Sequence, residues 1–221
     1  AMILYSLPLI APNLLQLLYN AADVAVLSIF SEGGDDAVAA VGSTGALIQL
    51  IINLFVGLSV GTNVLVARCV GSGDEERSQR IVGCSVVVSL ICGIVLLFVG
   101  FFGARTFLVW MDCDADVLDM AVKYLKIYFL GMPIMMLYNF STAVLRGVGD
   151  TLRPLLYLVL GGVVNVILNI VFVFVFKKDV EGVAIATVAS QGIAAILAVI
   201  ALLKEDGAAK LTLKNLRIDG K

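Results

Sequence analysis

Residues 37–67 read AVAAVGSTGALIQLIINLFVGLSVGTNVLVA, without one charged side chain. A helix needs about 20 apolar residues to cross the roughly 30 Å hydrocarbon core of a bilayer, and this stretch exceeds that length. A helix lying half in water would carry a broad polar stripe, and the few Ser, Thr, Gln and Asn here do not make one. Strands of a membrane barrel would alternate over about 10 residues, and this stretch does not alternate. In hydrocarbon each backbone group must be satisfied within its own segment, which leaves the helix.

Similar runs recur along the chain. Spans are predicted at about residues 2–30, 37–67, 81–104, 122–145, 154–176 and 182–203. The expected fold is an all-α integral membrane bundle of six transmembrane helices over residues 1–203, followed by a polar tail at 204–221. Composition agrees: 61% of residues are hydrophobic and 14% are charged, against roughly 25% charged in a soluble domain. The first run has no basic leader and exceeds the usual apolar core of a secretory signal, so it is read as a span. The net charge of -2 offers no basic excess for a nucleic-acid partner. Without histidine or a CxxC pair no zinc site is expected, and no cofactor is expected. The expected surroundings are the lipid bilayer.

The loops orient the spans. Arg68, Arg77, Arg80, Arg146, Arg153, Lys204, Lys210, Lys214, Arg217 and Lys221 fall on one side of a six-fold zigzag. Arg105, Lys123, Lys126, Lys177 and Lys178 fall on the other. Cationic loops stay in the cytoplasm, so both termini are expected there and the chain in the plasma (inner) membrane. Two connections on the cationic side match in pattern: Gly71-Ser72-Gly73-Asp74 and Gly147-Val148-Gly149-Asp150. Glycine past a helix end takes the left-handed conformation, and aspartate next caps the following helix. Residues 74–80 are expected to begin a short surface helix that leads into span three.

Polar residues within the spans mark a candidate cavity. Asp23 is the one acid well inside a span, where an ionised group is expensive without a partner or water. Asn13, Gln16, Tyr19, Asn20 and Asp23 recur at three and four residues, so they share a helix face. Gln49 with Asn53, and Asn165 with Asn169, are i, i+4 pairs. Tyr138, Asn139 and Thr142 in span four and Thr187, Ser190 and Gln191 in span six complete the set. Gln16, Asn20, Gln49, Asn53, Tyr138, Asn139 and Gln191 are the cavity-lining candidates. Such groups also join helices without lining anything. Pro8, Pro12 and Pro133 fall inside spans and permit bending.

Three segments carry a family resemblance: LPLIAPNLLQLLYNAADVAVL at 7–27, AAVGSTGALIQLIINLFVGLSVGTNVLVARCVGSGDEER at 39–77, and LRGVGDTLRPLL at 145–156. Together they resemble the amino-terminal half of the multidrug and toxic compound extrusion (MATE) transporters, from about Leu4 to Leu203. The resemblance implies one six-helix lobe of a twelve-helix protein, with residues 204–221 as a cytoplasmic linker toward a second lobe, on the same full-length chain or another copy. It implies an antiporter that exports small organic, cationic or amphipathic compounds, driven by protons or sodium. The family's cation site falls on Asp23, Tyr19, Asn165, Asn169 and Thr187, with Na+ expected at Asp23, Asn165, Asn169 and Thr187 if sodium is the coupling ion. Asn169 stands where a second carboxylate is common in that family.

Other readings meet obstacles. An intramembrane aspartyl protease also uses GxGD, but Asp74 and Asp150 sit in polar surroundings at the span ends. Gly57-Leu58-Ser59-Val60-Gly61 is a GxSxG, yet the chain has no histidine base; its glycines are read as allowing close helix packing. A flippase for lipid-linked precursors would need cations in its cavity, and the uncharged runs that make up the spans hold none. A half that only assembles with a partner, without transporting, is the remaining alternative. No enzyme activity is expected.

Overall fold

The computed structural model describes residues 2–31, 34–205 and 207–211; the side chains of residues 2–14, 16 and 55 fall outside that description. Seven α-helices follow one another among the described residues: α1 (Met2–Phe30), α2 (Gly34–Ser72), α3 (Glu75–Trp110), α4 (Ala115–Leu130), α5 (Met132–Gly147), α6 (Leu152–Ile170) and α7 (Asp179–Lys204). Among the described residues α2, α3, α6 with its continuation to Val175, and α7 are each long and apolar enough to cross a membrane. The pair α4 and α5 meets the same test jointly, bent by 50°. α1 runs for 29 residues, through Pro8 and Pro12.

The surface inverts the rule for soluble proteins. Phe102 and Trp110 are 76% and 78% exposed, and Leu, Ile, Val and Phe side chains cover the outside of α2, α3 and α6. Apolar exposure on that scale marks a surface meant for lipid or for another protein. Ion pairs gather at the two ends instead. Arg105–Asp119, Lys123–Glu181 and Lys178–Glu181 lie at one end, and Arg80–Glu76, Arg153–Asp150 and Arg153–Glu205 at the other.

Helix packing explains several sequence features. α3 lies along α5 and α4, while α6 packs on α7 and α1. Any Cβ at Gly93 would overlap the Pro133 backbone, and one at Gly100 would overlap the Phe129 ring. These glycines let α3 approach the bend between α4 and α5. Gly57 and Gly61 behave otherwise: a Cβ at either meets nothing within 4 Å, so they provide no close packing within the described residues.

The matched loops fold alike. Gly73 and Gly149 have φ of +72° and +92°. The Asp74 carboxylate accepts from the Arg77 N–H at 3.0 Å, and Asp150 from that of Arg153 at 3.1 Å. The expected short surface helix at 74–80 is not separate, because α3 runs unbroken from Glu75 to Trp110. Beyond α7, Gly207–Ala209 forms a single 3-10 turn. Gln79 donates to the Gly207 carbonyl at 2.9 Å, and the Leu211 N–H to the Leu202 carbonyl at 3.0 Å. Ala209 and Leu211 are buried against this end of the bundle. The first part of the expected linker is therefore docked; residues 212–221 lie outside the described set.

Candidate functional site: two adjacent cavities

Asp23 is 4% exposed, in the last third of α1. The i, i+4 amides of α6 come to meet it. Asn169 Nδ2 donates to Asp23 Oδ1 at 2.5 Å and to Asn165 Oδ1 at 3.1 Å. Asn165 Nδ2 donates to Thr187 Oγ1 on α7 at 3.2 Å. The Thr187 hydroxyl lies 2.9 Å from the Val183 carbonyl and 3.5 Å from Asp23 Oδ2. One hydroxyl carries one proton, and the shorter contact takes it. One carboxylate oxygen of Asp23 is thus firmly held and the other only loosely.

Two further features shape this centre. Among the described residues Asn169 Oδ1 is buried without a hydrogen-bond partner, a state rare enough in folded proteins to need a reason. No lysine or arginine pairs with Asp23 among the described residues. Tyr19, one turn before Asp23, presses its ring over Gly162, where a Cβ would overlap it, and its hydroxyl donates to the Leu158 carbonyl. The tyrosine is held by α6 and makes no hydrogen bond to Asp23 among the described residues.

Asp23 lines a cavity of about 190 Å³ with Tyr19, Asn20, Gln49, Asn165, Thr187 and Gln191. Asn169 stands behind Asp23, fully buried. Gln49, Tyr128 and Gln191 also border a second cavity of about 140 Å³, which contains Asn53, Tyr138, Asn139 and Thr142. Gln49 Nε2 donates to Asn53 Oδ1 at 3.3 Å. Tyr138 donates to the Pro154 carbonyl at 3.3 Å, and Asn139 to that of Met135 at 3.0 Å. The Gln16 side chain lies outside the described set.

Sequence reasoning missed several lining residues. Tyr124 and Tyr128 are buried, 6.0 Å apart between ring centroids, and both face the Asp23 cavity. An aromatic in an apolar run gives no sign of which it is, core or cavity wall. The charge pattern puts Arg146 in the connection between spans four and five. It lies instead in the last turn of α5 and lines the second cavity. Its side chain folds back along the helix: Nε donates to the Thr142 carbonyl at 3.2 Å and an Nη to Thr142 Oγ1 at 3.1 Å.

A bundle of long apolar helices, bent at one crossing and enclosing an acid in a polar cavity, has the form of a membrane transporter rather than an enzyme. The MatE family model matches residues 8–171, and the chain belongs to that family of multi-pass membrane transporters. It is 32% identical to the probable multidrug resistance protein YoeA of Bacillus subtilis, over 93% of this chain and 44% of that protein. It resembles an outward-facing multidrug resistance MATE transporter with a TM-score of 0.87 at 29% identity, over 97% of this chain and 47% of that one. An inward-facing structure matches with a TM-score of 0.85 at 29% identity, over 93% and 46%. The chain spans about half the length of the curated relatives it matches.

Proposed function

We propose that this chain is one lobe of a cation-coupled exporter of organic cations or amphipathic compounds, with Asp23 taking up the coupling proton or sodium ion. The carrying observation is the Asp23 centre: a buried acid without a cationic partner among the described residues, one oxygen held at 2.5 Å and the other beside a cavity. A carboxylate so placed is costly as a bare charge, and uptake of a cation relieves that cost. The unpartnered Asn169 Oδ1 adds an uncharged oxygen suited to a hard cation. Asn165 and Thr187 extend the set and Tyr19 shapes its wall.

The six crossings are α1, α2, α3, the bent α4–α5 pair, α6 and α7. The cationic loops favour termini in the cytoplasm of a plasma (inner) membrane, and a second six-helix lobe would complete the cargo path. Likeness to both an inward-facing and an outward-facing transporter supports a lobe that keeps its shape while access alternates. Coupling then requires the cation and the cargo to favour different states. A lipid-linked pyrophosphate would need several cations, and Arg146 is the one charged base lining either cavity among the described residues. The test is efflux of a fluorescent cation from vesicles holding the intact protein, with proton and sodium gradients imposed separately. Asp23→Asn inserts normally and loses gradient-driven efflux; unimpaired coupled efflux by that variant rejects the reading.

A further inference from the structure

The second cavity contains a group for which a cation exporter has no evident use. Arg146 is half-buried there, and among the described residues no carboxylate lies along the wall with it. Seven residues on, Arg153 is matched by Asp150 and Glu205. Arg146 has no ion pair among the described residues; its hydrogen bonds go to Thr142 alone. A guanidinium carries five N–H donors in a planar fork. Two contacts to Thr142 fix its plane and leave further N–H groups unused. The fixed fork fits the two oxygens of one carboxylate.

An arginine in the last turn of a helix also serves its own carbonyls and the helix dipole, and the contact with the Thr142 carbonyl is of that kind. That role alone would be served equally well by a side chain facing open water. Here the residue borders a cavity whose other polar lining is uncharged: Gln49, Asn53, Tyr138, Asn139 and Thr151. The cavity shares Gln49, Tyr128 and Gln191 with the one that holds Asp23. The two cavities together present one negative and one positive group to whatever occupies them.

We propose that Arg146 makes the second cavity a subsite for a carboxylate carried by the cargo, so that a zwitterionic amphiphile sets its anionic end there and its ammonium end toward Asp23. This rests on the cavities being the cargo path, but not on how transport is coupled.

The test is equilibrium binding to the intact protein in lipid nanodiscs, with no gradient. The probes are a rhodamine bearing a free carboxylate and its methyl ester, followed by fluorescence anisotropy. Arg146→Gln weakens the carboxylate probe by about tenfold, the scale of one charge-assisted hydrogen-bonded pair, and leaves the ester unchanged. Arg146→Lys, which keeps the charge but not the fork, falls between, and decides the matter by the same comparison if the Gln variant does not insert. Equal loss for both probes, or loss for neither, overturns the subsite. So does selective displacement of the carboxylate probe by a short-chain phosphatidylglycerol at lower concentration than by a matched carboxylate amphiphile, which would assign the fork to a lipid headgroup. Loss of coupled efflux in Asp23→Asn leaves this binding comparison untouched, so the two proposals fail separately.

Discussion

The Asp23 cavity and the Arg146 cavity lie against one another and share Gln49, Tyr128 and Gln191, yet their single charges are held differently. Asp23, on α1, is met by groups from two other helices, Asn169 from α6 and Thr187 from α7. Arg146 is supported by its own helix, through Thr142 one turn back. A charge gripped by several elements responds when those elements move against one another. A charge gripped by one element moves with that element and reads what comes to it. On the proposed function the first arrangement suits coupling and the second suits recognition.

The comparison can be broken at Asn169. Asn169→Leu removes the donor at 2.5 Å from Asp23. A hydrogen bond to a charged group contributes about 1.5–3 kcal/mol, so coupled efflux is expected to fall about 10-fold to 100-fold. The preference for the carboxylate probe over its ester, set by Arg146, should be unchanged; a matching fall there would show that the cavities are not separable. A smaller effect is expected from Gly162→Ala, which drives a Cβ into the Tyr19 ring. Overpacking of this kind costs about 1–3 kcal/mol, visible as a lower melting temperature of the intact protein. An unchanged melting temperature would mean that the ring moves aside freely.

Thr187 sharpens the contrast further. Thr187→Val removes the acceptor of Asn165 Nδ2 and the loose contact with Asp23 Oδ2. A loss of about 1 kcal/mol corresponds to roughly fivefold in coupled efflux, and Thr187→Ser should recover it. A defect in Thr187→Ser with none in Thr187→Val, which keeps the methyl group, would point to that methyl instead. The smallest effect belongs to Glu205→Gln, which breaks an exposed pair with Arg153 outside both cavities. Such pairs contribute little, so neither efflux nor probe binding should change.

Much of this was legible from the chain because membrane helices make polar residues conspicuous. Asp23, Asn165, Asn169 and Thr187 stand out in apolar runs, and helical spacing already aligned the two amides. The structure brings all four together. The paired Gly-Asp connections were equally readable, since a left-handed glycine and a capping carboxylate are local matters. What could not be read depended on tertiary placement. Pro133 announced a bend but not the 50° between two helices. Tyr124 and Tyr128 resemble core residues in any hydrophobic run. Gly57 and Gly61 look like a packing face, yet a Cβ at either meets nothing within 4 Å among the described residues. Arg146 sits at a predicted span boundary, where only coordinates reveal that the side chain turns back into a cavity.

The account depends on cargo and coupling cation acting on one carboxylate. The direct measurement is equilibrium binding of a fluorescent organic cation to the purified intact protein across a range of sodium concentration and pH. Linkage requires that if the coupling cation weakens cargo binding, cargo weakens cation binding by the same factor. The account predicts that raising sodium or proton concentration displaces the dye from the wild type and that this dependence vanishes in Asp23→Asn. The same displacement curve in both proteins would contradict it.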